Sequence, residues 1–532
     1  MLKKLLNGQS KTIASAAFII GAASLISRVL GVFRDRVLAG EFGAGIELDM
    51  YYAAFRIPDL VFNLVVLGAV SAGFIPVFTQ YLKSEQKAWE LVNVLLNAMI
   101  LALIIISGGL ILLAPWLVKI IAPGFSPAQL AVTAQLTAIM FLSPIFLGIS
   151  AILGGVLQSY KRFFVNSLAP ILYNVGIILG ALFFVPLNGI YGLAWGVVLG
   201  AVLHMAIQIL PLLNLGYKYR LKIDLYHKGF LRILKMTLPR ILSLVISQIN
   251  LLVVTIIGST LAIGSITIFN LANNLQSLPL GVFGVSFAIA AFPSLAELAD
   301  RKKKFLHTLS AIVRQILFLI IPASALLIIL RAQIVRVVLG TGKFDWQDTV
   351  LTLETLSLFA FSLFAQALIL LFIRAFYALE DAKTPFYIGL VTAFANIVMA
   401  IMLVEKFSVA GLALAFSLSS ILNFILLILA FHYRLGQIDG TKIVFSAGKI
   451  LVATFMLALV AQAAKYLIEP FVGTQTFVGI AIQTGLAAGL GLAAYLLISR
   501  LLNSEELNYF TDSFRKKLIQ KSVTITETIE NE

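Results

Sequence analysis

Arg28, Arg34, Asp35, Asp49, Arg56 and Asp59 lie inside two adjacent apolar stretches that run from Gly21 to Phe78. A charge at membrane depth is costly unless it faces a protein interior or a watery cavity, so a chain that keeps several there points to their use. Guanidinium groups in a low-dielectric space suit an anion, held by charge-assisted and bidentate hydrogen bonds. A cationic solute would be repelled. The carboxylates either belong to the same site or neutralise the arginines in structural ion pairs. For Arg28 and Arg34 a further reading is snorkelling to the interface from the end of a span.

Helical spacing groups these residues. Gly21, Ser24, Arg28, Gly31 and Asp35 recur at steps of three and four in the first stretch, and Asp49, Tyr52, Arg56, Asp59 and Asn63 do so in the second. Each set forms one stripe, and both stripes are predicted to face inward. Pro58 removes a backbone donor inside the second span, and Gly68, Gly73 and Pro76 loosen its far half, so this span is expected to bend. A later span carries Asn270, Asn274 and Ser277 on one stripe, followed by Pro279, Gly281 and Gly284. Its asparagines serve either as ligand contacts or as interhelical bonds. Arg374, near the Glu380 and Asp381 end of another span, is expected to snorkel or pair.

The elements that position these residues follow from composition. The 532 residues are 60% hydrophobic and 12% charged, against roughly 45 to 50% and 25% in soluble proteins; mean hydropathy is +1.02. The chain reads as an all-α polytopic membrane protein. Runs of about 20 apolar residues, enough to cross a bilayer, number about fourteen. The chain has no cysteine, and His204, His227, His307 and His432 show no zinc spacing, so no disulfide, metal site or cysteine nucleophile is expected. Nothing resembles a nucleotide site; no cofactor and no enzymatic chemistry are expected.

The net charge of +15 reflects Lys and Arg in short loops rather than a nucleic-acid surface. Lys83, Lys87, Lys161, Arg162, the run from Lys218 to Arg232, Arg301 to Lys304, and Arg515 to Lys517 share one side with Lys3, Lys4 and Lys11. The positive-inside rule places that side, and both termini, in the cytoplasm. Arg331, Arg336 and Lys343 break the pattern, and an interfacial amphipathic segment there would account for them.

A repeat organises the chain. GIYGLAWG from Gly189 matches SVAGLALA from Ser408 at an offset of 219, and Phe74 matches Phe292 at 218. A six-span lobe over 1–216 is therefore expected to be followed by a basic linker, 217–235, and a second six-span lobe over 236–435. Two added spans cover 436–501 and a cytoplasmic tail covers 502–532. An even number of crossings gives pseudo-symmetric lobes of the same orientation.

SRVLGVFRDRVLAGEFGAG, the D-x-Y-x-x-A-F-R-I-P that follows, the ending GAVSAGFIPVF and the later LPLGVFGVSFAIAAFPSL resemble the MurJ/MviN family of the multidrug/oligosaccharidyl-lipid/polysaccharide exporter superfamily, over nearly the whole chain. The resemblance implies flipping of lipid II, the undecaprenyl-pyrophosphate-linked peptidoglycan precursor, across the bacterial cytoplasmic membrane. Membrane lipids and cell-wall synthesis proteins would be its surroundings. It also implies that Ser27, Arg28, Arg34, Asp35 and Asp49 occupy polar positions the family uses. Against the family pattern, Phe62 replaces an arginine and Leu67 a glutamate, Asn273, Asn274 and Ser277 replace charged residues, and Val254 stands where some members place a carboxylate toward sodium. These departures keep two alternatives open: an exporter of the same superfamily for another polyprenyl-linked glycan or a drug, and a non-transporting scaffold of cell-wall synthesis.

Overall fold

The structure is a computed structural model that describes residues 13–67, 73–436, 439–473 and 476–512. Every regular element in those residues is helical. The amino-terminal helices are α1 (Ile13–Phe42), α2 (Ile46–Val61), α3 (Ile75–Tyr81), α4 (Glu85–Ile121), α5 (Pro127–Met140), α6 (Leu142–Ser159), α7 (Phe163–Leu179) and α8 (Ile190–Leu213). The chain continues through α9 (Lys228–Ser259), α10 (Ser265–Pro279), α11 (Ser286–Glu297), α12 (Lys302–Ile329), α13 (Arg331–Val338), α14 (Trp346–Phe361) and α15 (Leu363–Ala378). It ends with α16 (Lys383–Leu435), α17 (Gly440–Ile468) and α18 (Phe477–Leu501).

Among the described residues, nine helical stretches are long and apolar enough to cross a membrane, and the pair α14 and α15, bent by 45°, makes a tenth. The 53-residue α16 is broken at Ser408 and supplies two crossings. α1, α2 and α9 stand where the remaining expected spans lie, which is roughly consistent with the fourteen expected. The stretch expected to be interfacial begins in the short α13, whose Arg331 donates to the Ser357 hydroxyl at 3.3 Å.

The repeat is written into the backbone. Phe62–Leu67 and Leu280–Val285, 218 residues apart, are both π-helical. Gly189 (φ 58°, ψ −145°) and Ser408 (φ 50°, ψ −134°), 219 apart, make the same sharp entry into a helix. Lys161 and Glu380, also 219 apart, both have φ of 60°. Gly192 packs against the backbone of Phe184 and Gly411 against that of Leu403; a Cβ at either glycine would come within 2.5 Å of the atoms there. Beside Glu380, the buried Asp381 accepts from Lys383 N–H, Thr384 N–H and the Thr384 hydroxyl, and pairs with Arg434. Burial pushes its carboxyl up, but these donors outweigh that and hold it below the usual carboxylate range.

In the second copy the positive-φ turn falls on a serine. An L-residue in that region stores on the order of 1 to 3 kcal/mol, and the first copy uses glycine. Ser408→Gly is expected to stabilise the protein by about 1 kcal/mol, read as a raised melting temperature in detergent.

Packing groups the chain into two compact units. The first comprises Met1–Leu271, Val338–Thr352 and Ala393–Ala415. In it α7 and α8 approach through glycines: a Cβ on Gly176 would lie 2.2 Å from Gly200 Cα, and one on Gly180 would lie 2.4 Å from Gly196 Cα. Small residues at four-residue spacing allow this backbone contact, which replaces the hydrophobic drive that helices lack in lipid. The second unit comprises Ala272–Val337, Leu353–Thr392 and Phe416–Glu532. In its core the buried Phe431 stacks on Phe305 and meets Phe372 and Phe376 edge to face. A polar chain crosses it, with Gln366 donating to Gln276 Oε1 at 3.0 Å and to the Ser362 hydroxyl at 2.9 Å, and Ser362 donating to Ser417.

Candidate functional site

The predicted site residues of the first two spans lie in the first unit. Arg34 on α1 donates through Nε and Nη2 to Asp35 Oδ1, at 3.0 and 2.7 Å, and through Nη1 to Asn174 Oδ1 of α7 at 3.1 Å. The pair joins adjacent residues, a geometry that three-and-four spacing does not anticipate. Asn174 could have been found as a lone amide in an apolar span. Ser27 and Arg28 are half-buried one to two turns earlier, but Gly21 and Ser24 are exposed, so the α1 stripe turns inward only in its second half.

Arg56 on α2 has a different environment. Its Nε donates to the Thr255 hydroxyl of α9 at 2.8 Å and its Nη2 to Asn270 Oδ1 of α10 at 2.7 Å. Both partners are neutral, so these bonds orient the guanidinium without cancelling its charge. Asp59 lies one turn on and acts on Arg56 electrostatically, and Asn63 donates to the Asp59 carbonyl at 2.8 Å. Asp59 and Phe62 line a cavity of about 180 Å³ with Ser143, Tyr173 and His204.

Asp49 is buried and joins α2 to the start of α10. It accepts from Gly264 N–H (2.7 Å), Thr267 N–H (2.8 Å) and the Thr267 hydroxyl (2.7 Å) at the start of α10. At the same end, remote from the start of α1, Asp348 accepts from Ala44 N–H at 2.9 Å and Lys343 N–H donates to the Gly40 carbonyl at 2.8 Å. Glycines allow the contact: a Cβ on Gly264 would lie 2.0 Å from the Ala44 carbonyl oxygen, and one on Gly342 would lie 2.1 Å from that of Gly40.

Where a bend is expected, span two passes after Pro58 into a π-helical turn, Phe62–Leu67. The carbonyl that Pro58 leaves without its helical donor, Ala54, accepts from the Thr137 hydroxyl at 3.4 Å. Pro76 opens α3. Gly73 permits packing rather than looseness, since a Cβ there would sit 2.8 Å from the Ile233 carbonyl oxygen. Gly68 falls outside the described residues. Pro279 and Gly281 flank and enter the second π-helical turn.

Asn274 belongs to the second unit, where its carbonyl accepts from the Ser277 hydroxyl at 2.7 Å and Asn273 accepts from Gln276 at 2.9 Å. Arg374 stands over the Phe292 ring, 5.8 Å from its centroid, a cation–π contact neither expected reading contained. The second unit also holds an apolar groove of about 1000 Å³, lined by Leu317, Ile321, Phe364, Phe372, Phe424 and Val444 among others.

An all-helical chain whose described residues hold nine to ten apolar helices long enough to cross a bilayer, with arginines and carboxylates among them, is a polytopic membrane protein. A model of the family described as lipid II flippase MurJ matches residues 38–511, and the chain belongs to that family. It is 31% identical to a lipid II flippase MurJ of Burkholderia cenocepacia over 79% of this chain and 84% of the relative. It is 30% identical to a probable lipid II flippase MurJ of Vibrio cholerae over 80% and 84%. A solved structure of lipid II flippase MurJ in an inward closed conformation superposes with a TM-score of 0.77 at 26% identity, covering 91% of this chain and 98% of that one. An inward-facing multidrug MATE transporter matches at a TM-score of 0.64 and 14% identity, over 79% and 96%, a likeness of fold alone.

Proposed function

We propose that this protein flips lipid II from the inner to the outer leaflet of the bacterial cytoplasmic membrane, with both termini in the cytoplasm. The observation that carries the reading is Arg56: a guanidinium at membrane depth, oriented by neutral partners and so left able to neutralise a pyrophosphate. Arg28 and Arg34 extend the cationic set. The apolar groove of the second unit suits the polyprenyl chain, which needs no polar partner. Transport runs by alternating access as the lobes of 1–216 and 236–435 rock about their π-helical bends. With the cell interior negative, carrying two negative charges outward gains about 5 kcal/mol per 100 mV if they cross the full field. The reading needs no covalent step.

The test is purified protein in liposomes carrying lipid II, with an imposed potassium diffusion potential. Lipid II should become accessible on the opposite leaflet faster when the donor side is negative, and the gene should restore growth to cells depleted of their own flippase. Binding of lipid II without transfer, at any potential, would favour the scaffold reading, which the neutral residues at positions 62, 67, 273, 274 and 277 keep alive.

A further inference from the structure

The connection from α8 to α9 contains no helix, yet it is pinned in place. Two buried asparagines of α4, one turn apart, hold its backbone. Asn93 accepts from the Tyr217 hydroxyl at 2.7 Å and from Arg220 N–H at 3.0 Å, and donates to the Lys218 carbonyl at 3.3 Å. Asn97 accepts from the Tyr219 hydroxyl at 2.6 Å and donates to the carbonyls of Arg220 and Lys222 at 2.9 and 3.2 Å. A loop whose only task was to join two spans and carry positive charge would not need six bonds from two buried amides.

What the bonds achieve is a fixed row of cations. Lys218, Arg220 and Lys222 alternate along the pinned segment and, with Gln86, Trp89 and Glu90 of α4, bound a cleft of about 370 Å³. Glu90 pairs with Lys222; Lys218 and Arg220 have no ion-pair partner among the described residues. Trp89 is wedged between Tyr160 and Tyr217, with ring centroids 5.9 and 5.4 Å away, forming an aromatic wall of the kind found at membrane interfaces. Beside the cations the same segment exposes apolar side chains, Leu221 at 79% and Tyr226 at 89%. Cations next to exposed apolar groups, at the end of a membrane-spanning helix, fit a phosphate with an acyl chain attached.

We propose that this cleft binds the headgroup phosphate of an anionic phospholipid, with Arg220 and Lys218 as its ligands and Leu221 resting at the acyl boundary. Arg220 supplies the fork that grips two phosphate oxygens, and Lys218 adds a point charge. The site lies on the linker, apart from the arginines of α1 and α2, and its occupancy does not depend on flipping.

Full-length protein, stripped of lipid in a neutral detergent, would be titrated with short-chain phosphatidylglycerol, short-chain phosphatidylcholine and glycerol phosphate, with bound equivalents counted by native mass spectrometry. Phosphatidylglycerol should bind at least tenfold more tightly than phosphatidylcholine, and the preference should shrink as salt rises. Arg220→Gln should weaken it about tenfold, and Lys218→Gln with Arg220→Gln should remove one bound equivalent, while the melting temperature stays unchanged because both side chains are exposed. Leu221→Ser should weaken the lipid but not glycerol phosphate. Glycerol phosphate binding as tightly as the lipid would overturn the lipid assignment in favour of a free phosphate ester. Retention of every phosphatidylglycerol equivalent by the double variant would overturn the site.

Discussion

Arg56→Met abolishes lipid II flipping while leaving the folded protein as stable as before or slightly more so. The two halves of this expectation come from one physical fact. Arg56 is a charge brought out of water whose hydrogen-bond partners, Thr255 and Asn270, are neutral, while the Asp59 carboxylate acts on it through space without a direct bond. The protein bears the desolvation cost of that charge, so replacing it with an apolar side chain of similar length relieves the cost and forfeits two hydrogen bonds, a near balance. Substrate binding has no such compensation. Losing a charge-assisted contact of about 1.5 to 3 kcal/mol lowers occupancy of the pyrophosphate site roughly tenfold to a hundredfold, and the loss deepens if the guanidinium grips two oxygens. Arg56→Lys should restore part of the activity through charge alone. Arg34→Met should behave differently: Arg34 is bonded to Asp35 through two nitrogens, so its removal takes the counter-charge from a buried carboxylate and lowers stability together with activity. Flipping in liposomes, measured beside thermal denaturation of each variant, separates the cases. Full activity in Arg56→Met would make this arginine a strut between α2, α9 and α10 rather than a ligand.

Much of the architecture was legible in the sequence because membrane spans obey one strong rule. Every backbone group must be satisfied within the span, so apolar length alone reports helices. The repeat was equally readable: offsets of 218 and 219 found in the residues recur in the π-helical turns and in the Gly189 and Ser408 entries. The partners of the charged residues were not readable. Spacing on one helix says which residues share a face, but Thr255, Asn270, Thr267 and Asn174 come from other helices, and their register depends on crossing geometry. The Arg34–Asp35 pair escaped for the opposite reason, being too local for a helical-face argument. Asp49 was grouped with Arg56 by its place on the same helical stripe; its partners are two backbone N–H groups and the Thr267 hydroxyl, to which a tally of charged residues is blind.

Asp49→Asn should open the end of the bundle that lies outside the cell in the proposed orientation. Both carboxylate oxygens are occupied, one by Gly264 N–H and the other by Thr267 N–H and its hydroxyl. An amide presents one acceptor oxygen and, on the other side, a nitrogen that cannot accept, so at least one backbone donor loses its partner and faces a donor instead. Bonds to a charged acceptor are worth about 1.5 to 3 kcal/mol each, enough to shift a closed-to-open ratio by tenfold or more. Gly264→Ala acts on the same contact by steric means and should be more severe: its Cβ would meet the Ala44 carbonyl oxygen at 2.0 Å, and its φ of 91° disfavours any side chain. Because the chain has no cysteine, a single one introduced at Thr341, which packs against Gly40, reports this end cleanly. In the parent background it should react slowly with a membrane-impermeant maleimide added to intact cells. Asp49→Asn should raise that rate about tenfold and Gly264→Ala further, with flipping impaired in both because a gate that does not close cannot reset the site. Unchanged labelling in a stable Asp49→Asn variant would mean that the Gly40 to Lys343 contacts close this end alone, and that Asp49 serves only to start α10.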